Sequence, residues 1–283
     1  MFYLKKNKKR MLALCLSAAL SVGSLTVYAA TEQWNDASLT PAFTTKTAVS
    51  EHTDWADWKA NWDKIKTNYE QVALIPGSDF SKLNFGWYSK EKANEAVVRI
   101  ADNKDMKNAK EFKGTCTEGT VINGVQYYSN KVTADGFEPN TTYYYQVKLN
   151  GKWQQAHEYK TGDPHNFSFM YVGDPQIGAS KGQVPNESAV EQSEDVAARN
   201  DAYNWNKTLN SALAQHPEIN FLVSPGDQIN EPAGNNAEKH LLQEYEYSGY
   251  LSATAFRNLP QAVAIGNHDC LTTSYQNHFN VPN

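Results

Sequence analysis

The stretch Ala262-Val263-Ala264-Ile265-Gly266-Asn267-His268-Asp269 runs from four apolar residues straight into a glycine and then three polar groups. Two earlier stretches have the same grammar. Phe167–Val172 leads into Gly173-Asp174-Pro175-Gln176, and Phe221–Val223 leads, within two residues, into Gly226-Asp227-Gln228. Near-continuous apolar runs of this length suit strands buried on both faces. Trp205, Leu209, Ala212 and Leu213, ended by Pro217, show helical spacing between the runs at 167–172 and 221–223, and Leu241, Leu242 and Tyr245 do so more weakly between 221–223 and 262–265. Strand–helix–strand–helix–strand predicts a parallel sheet with right-handed crossovers. The polar stretch 177–202 reads as an insert over the strand ends, with a short helix over Ser193–Arg199.

In an open parallel sheet, ligands bind outside the carboxyl ends of the strands, so the three glycine-led clusters are expected on one rim. Two carboxylates and an amide oxygen are hard donors suited to divalent or trivalent cations. Two aspartates crowded on a dry sheet edge repel one another, and a cation removes that conflict. His268 has the chemistry of a proton donor or electrophilic stabiliser. Asp269 beside it can hold the imidazole or fix the loop. A Gly-Asp after a single strand is commonly a turn; three such clusters in order point to a metal site.

The order Asp…Gly-Asp…Gly-Asn-His-Asp resembles the calcineurin-like metallophosphoesterase superfamily. The resemblance implies two metal ions, divalent or trivalent (Fe, Mn or Zn), at the strand ends. It assigns Asp174 to the first metal, Asp227 to a bridge between both and Asn267 to the second. It makes His268, with Asp269, catalytic at the leaving oxygen. The implied reaction is hydrolysis of a phosphate mono- or diester by metal-bound hydroxide. Two positions depart from the pattern. Gln176 stands where many members have a histidine, and Asn230 stands where purple acid phosphatases have their colour-giving tyrosine. Gln176 and Asn230 are therefore expected beside the metals rather than on them. Further metal-binding histidines of the family lack counterparts here. His278 matches neither missing motif and reads as a loop residue near the substrate opening. The motif count predicts an incomplete domain over 164–283, the first half of a metallophosphoesterase α/β sandwich. A truncated pseudoenzyme or a non-catalytic exported binding module is the alternative.

Upstream, over 71–163, the chain reads as short strands: Leu83–Tyr88, Ala96–Ala101, Val125–Val132 and Tyr143–Leu149. In the last, Tyr143, Tyr145, Val147 and Leu149 alternate onto one face. This spacing predicts a β-sandwich. The segment Gly136–Tyr145 resembles the turn before a late strand in fibronectin type III domains, which implies that the Tyr143 hydroxyl ties turn to strand. The fold class is thus multidomain β + α/β, a fibronectin III-like sandwich followed by a partial α/β sandwich. The pairing resembles the purple acid phosphatase branch.

Residues 31–70 hold a linker and then a short amphipathic helix. Trp55, Trp58, Trp62, Ile65 and Tyr69 recur at steps of three and four, a stripe expected to pack on a neighbouring domain, with Thr53 or Asp54 as cap. Residues 1–30 have the layout of a secretory signal peptide: a basic cluster, the apolar run Met11–Val27, and a small-residue cleavage site at Ala29 or Ala30. This predicts a secreted or cell-envelope protein with no stable membrane span. Of the 26 basic residues, five lie in this stretch, which contains no acid; the other 21 face 31 acids, a balance of −10. An acidic body argues against broad nucleic-acid affinity and leaves the phosphorylated small-molecule substrate to be received by metals. Cys116 and Cys270 remain after cleavage, either as free thiols or as a pair.

Overall fold

The computed structural model describes residues 55–181, 193–234 and 236–282. The signal-peptide reading, the linker and both candidate caps at 53 and 54 lie outside these residues. So do residues 182–192 of the expected insert.

The helical stripe forms α1 (Trp55–Lys66). Its aromatic face is core. Trp58 and Trp62 are buried, the Trp58 indole donates to the Arg199 carbonyl at 2.9 Å, and the Trp62 indole donates to Asp195 Oδ1 at 2.9 Å. Lys66 bonds the other oxygen of Asp195 at 2.9 Å.

Next come β1 (Ala73–Pro76), β2 (Lys82–Ser89), β3 (Ala96–Ala101), β4 (Lys110–Ile122), β5 (Val125–Asp135), β6 (Thr142–Leu149), β7 (Lys152–Trp153) and β8 (His157–Lys160). They make one antiparallel sheet in the order β1-β2-β5-β4-β3-β6-β7, with β8 also on β6. The sheet curls because β4 changes partner midway. Lys110–Gly114 pair with β3, and Thr115 onward pairs with β5. A Cβ at Gly114, the switch point, would lie 1.9 Å from the Lys131 carbonyl oxygen, so the two backbones approach there as only glycine allows. Leu83, Phe85, Val98, Val132, Tyr145 and Val147 fill the space between the two halves. The Tyr143 hydroxyl accepts from the Glu138 amide at 3.0 Å, the turn-to-strand bond expected of it.

The second part contains β9 (Ser168–Tyr171), α2 (Glu194–Gln215), β10 (Ile219–Ser224), α3 (Ala237–Leu251), a 3-10 turn (Thr254–Arg257), β11 (Gln261–Val263) and α4 (Ser274–His278). The three strands are parallel with β10 in the middle. Ser193 caps α2 by accepting from the Val196 amide, and Asn236 caps α3 by accepting from Lys239. The helix expected at Ser193–Arg199 forms the cap and first turns of α2 and is continuous with the Trp205–Leu213 stripe.

Burial on both faces of this sheet is not what the structure has. Met170, Val172, Leu222 and Val263 pack into the core beneath α2 and α3. Phe169 and Tyr171 on the opposite face are 51% and 65% exposed, with Phe167, Phe221 and Phe169 in ring contact. Among the described residues that face has no layer over it. An apolar run tells how hydrophobic a strand is, not how many faces are covered.

The two parts share packing through β1. Its period-two alternation sends Leu74 into the sandwich core, and Ala73 and Ile75 into the α/β core. No helix among the described residues is long and apolar enough to cross a membrane.

Candidate metal centre

The three glycine-led loops do meet at the carboxyl ends of β9, β10 and β11. The first and second are joined by backbone bonds: Gln176 N donates to the Asp227 carbonyl at 2.9 Å, and Ile177 N to the Gln228 carbonyl at 3.2 Å. The second and third are joined through a carboxylate, since the His268 amide donates to Asp227 Oδ1 at 2.9 Å. Asp174 and Asn267 are exposed on this rim, and Asp227 and His268 are half-buried.

The backbone here is strained. Asp174, Gln176 and Asp227 take φ values of 41°, 33° and 50°, in the left-handed region. Such a conformation costs a non-glycine residue about 1–2 kcal/mol. Strain of this kind persists where surroundings over-determine it, and it concentrates at functional sites. Gly266 is obligatory in this packing. A Cβ there would sit 2.0 Å from Asp227 Oδ1 and 2.2 Å from the Asp227 nitrogen. The second and third loops therefore touch backbone to carboxylate.

Asp269 is 1% exposed and does not hold the His268 ring by any hydrogen bond. Its oxygens accept from Gly266 N at 3.0 Å, Gln228 N at 3.4 Å and the Tyr247 hydroxyl at 2.9 Å. Burial pushes its carboxyl above the ordinary range, against these bonds. Of the two roles considered for it, the contacts are those of loop fixing. The His268 ring is held instead by the Asn230 carbonyl, which contacts Nδ1. Asn230 thus touches the histidine through its main chain.

Two further carboxylates escape a sequence reading. Asp201 on α2 accepts from Gly178 N at 2.9 Å and Ser180 N at 3.1 Å, fixing the end of the first loop. Glu246 on α3 accepts from Asn230 N at 3.0 Å and Glu231 N at 2.7 Å, fixing the second. Burial raises both carboxyls, Glu246 well above the ordinary range, where the Glu231 and Asp201 charges add to the effect although the bonded amides oppose it. An acid on an amphipathic helix ordinarily reads as a solvated face. No spacing signal marks these two as buried.

His278 is not a loop residue at an opening. It ends α4, is 1% exposed, and donates from Nε2 to the fully buried Glu244 at 2.8 Å. Its ring packs between Tyr88 and Tyr247, with centroids 4.4 and 4.8 Å away. Cys116 and Cys270 are free thiols.

Could a cation sit among these donors? Asp174, Asp227 and Asn267 are all hard oxygen donors, and the close fit of Gly266 against Asp227 holds one of them in place. The donor set suits such an ion. Among the described residues, no cluster of three or more His, Cys, Asp or Glu side chains has a metal-holding arrangement, so the set rests on two carboxylates and an amide.

Residues 69–161 match the family described as the purple acid phosphatase N-terminal domain. The chain is similar to the structure of the purple acid phosphatase PPD1 from yellow lupin (Lupinus luteus) seeds, with a TM-score of 0.50 and 15% identity, over 76% of this chain and 40% of that one. It also matches the structure of PhoD at a TM-score of 0.44 and 15% identity, over 71% of this chain and 40% of that one. The chain thus spans well under half the length of these solved structures. No curated protein matches it. Residues 69–161 thus match the purple acid phosphatase N-terminal domain family, and over 76% of its length the chain shares the fold of the lupin structure.

Proposed function

We propose that the α/β unit is a metal-dependent phosphoesterase centre, exported with its β domain, that acts on phosphate mono- or diesters. The observation that carries this is the convergence of the three loops on Asp227, whose carbonyl accepts from the first loop and whose carboxylate accepts from the third. Asp174, Asp227 and Asn267 would hold metal. Bound metal would neutralise charge on the phosphoryl oxygens and supply hydroxide near neutral pH. The chain's own part is positional. Asp174 and Asp227 would serve from left-handed backbone just past the strand ends. His268, with Nδ1 engaged by Asn230, has Nε2 for proton exchange with the leaving oxygen. Gln176 serves the site through its backbone bond to Asp227.

The test is hydrolysis of p-nitrophenyl phosphate and bis(p-nitrophenyl) phosphate with Mn, Fe or Zn added, together with calorimetric titration of Mn(II). Metal binding lost in Asp227→Asn, and turnover lost in His268→Ala with binding retained, are the expected results. Turnover unchanged in both variants would sink the reading.

A further inference from the structure

Glu246 is the most buried acid with a free oxygen near the candidate centre. It is 1% exposed. Its Oε2 takes two consecutive amides of the second loop, Asn230 and Glu231. Its Oε1 has no hydrogen-bond partner and lies against Gly178 of the first loop, where a Cβ would come within 2.3 Å of it. Gly178 has φ +110°, so the loop meets this carboxylate in a conformation that side-chain-bearing residues rarely adopt. One carboxylate therefore sits behind two of the three loops.

What it holds is specific. The Asn230 amide also reaches the Ile177 carbonyl at 3.1 Å, but the Glu231 amide has Glu246 as its acceptor at 2.7 Å. The peptide unit between these two amides contains the Asn230 carbonyl, and that oxygen engages His268 Nδ1. A carbonyl oxygen only accepts, so Nδ1 must carry the hydrogen. Which imidazole nitrogen stays free then follows the orientation of one peptide plane, and Glu246 is the acceptor for the amide of that plane.

We propose that Glu246 is a positioning residue for His268. It fixes the Asn230–Glu231 peptide so that the Asn230 carbonyl takes the Nδ1 hydrogen and Nε2 is left for proton exchange. This rests on the reading of His268 as the proton-transfer group, and the test is chosen to be independent of turnover.

The experiment is nitrogen-15 NMR of histidine-labelled full chain at a pH where the imidazole is neutral, with His268 identified by its loss in His268→Gln. Amide hydrogen exchange at Glu231 is measured alongside. In the unsubstituted protein His268 is expected as the Nδ1–H tautomer, with the Glu231 amide protected; an Nε2–H tautomer there overturns the proposal. Glu246→Gln, which keeps an acceptor oxygen, is expected to retain the Nδ1–H signature. Glu246→Leu is expected to lose it, with exchange at Glu231 faster by roughly two- to tenfold, the worth of one hydrogen bond. A folded Glu246→Leu protein with unchanged His268 shifts overturns the proposal. Should that variant not fold, Glu246→Asp decides, since it withdraws the carboxylate by one methylene. The same changes in smaller measure support the proposal, and their absence overturns it. A chain that never hydrolyses a phosphate ester leaves these readouts intact, so the two readings fail separately.

Discussion

Replacing His278 by leucine should be among the most damaging single changes in this chain, and it should reverse the acid response of stability. His278 is 1% exposed and Glu244 fully buried, and their 2.8 Å contact joins α4 to α3. Glu244 also accepts from the Ser274 hydroxyl at 2.8 Å, and its contact with the Tyr88 hydroxyl on β2 ties in the β domain. Breaking a fully buried pair by removing one partner costs about 3–5 kcal/mol, because the other is left uncompensated. For a chain of this size that corresponds to a fall in melting temperature of roughly 6–20 °C.

The pH dependence follows from the sign of the Glu244 shift. Burial pushes its carboxyl up, but the His278 charge and hydrogen bond more than offset this and hold it below the ordinary 4.5. A carboxyl lower in the folded than in the unfolded state contributes stability above about pH 4.5, lost as pH falls through the folded value. In His278→Leu only burial remains dominant, so the folded value rises above the unfolded one. Stability should then fall as pH rises from about 4.5 upward. Urea unfolding followed by tryptophan fluorescence from pH 4 to 7 reads both effects. A double variant, Glu244→Met with His278→Leu, should recover most of the loss, since an apolar replacement of a buried pair is often neutral. A single variant within about 1 kcal/mol of the parent, or an unchanged pH slope, would refute the reasoning.

Three other outcomes are expected. Gly266→Ala drives a methyl against the Asp227 nitrogen and carboxylate, so both the melting temperature and Mn(II) binding by calorimetry should drop. Trp62→Phe keeps the ring in the core but removes the indole donor to Asp195, at a cost of about 1 kcal/mol because that carboxylate is partly exposed. Glu246→Gln should change the pH slope. The folded Glu246 carboxyl lies well above the unfolded one, so the folded state holds the extra proton and stability falls as pH rises through that window. In the glutamine variant that fall should be missing from thermal melts taken between pH 5 and 8.

Much of this architecture was legible because its strands bury enough surface to leave a pattern. Ala96–Ala101 reads as a strand from its run of β-branched and small apolar residues and forms β3 with those bounds. The three Gly-led clusters follow their parallel strands as expected. β4 left no such trace. Lys110–Ile122 is thirteen residues long but polar, with two glycines and Ile122 as its one buried residue, so nothing apolar repeats along it. The β4 hydrogen bonds, rather than burial, make it the hinge of the curled sheet. α3 misled in the opposite way. Glu244 and Glu246 lie among tyrosines with no spacing to set them apart, yet both are buried, each bonded by groups from other segments. Periodicity reports the hydrophobicity of a face. It does not report a buried acid whose partners come from elsewhere.

This bears on how the strained loops are kept in place. The short sheet beneath them is covered by helices on one side only among the described residues, and Phe169 and Tyr171 stand open on the other. Burial of the sheet therefore supplies less restraint than two covering layers would. The helix side makes up the difference with directed bonds. Asp201 from α2 takes two amides after Gln176, Glu246 from α3 takes two after Asp227, and Asp269, braced by Tyr247, takes Gly266 and Gln228. Each acceptor is a carboxylate in a dry setting, where an unmade bond is costly and a made one is correspondingly firm. Three left-handed residues on one rim each carry a backbone cost, so they should relax if these acids were removed. The restraint that shapes the candidate centre thus comes from α2, α3 and the third loop, and substitutions there should be felt at Asp174, Asp227 and His268 before they are felt in the β domain.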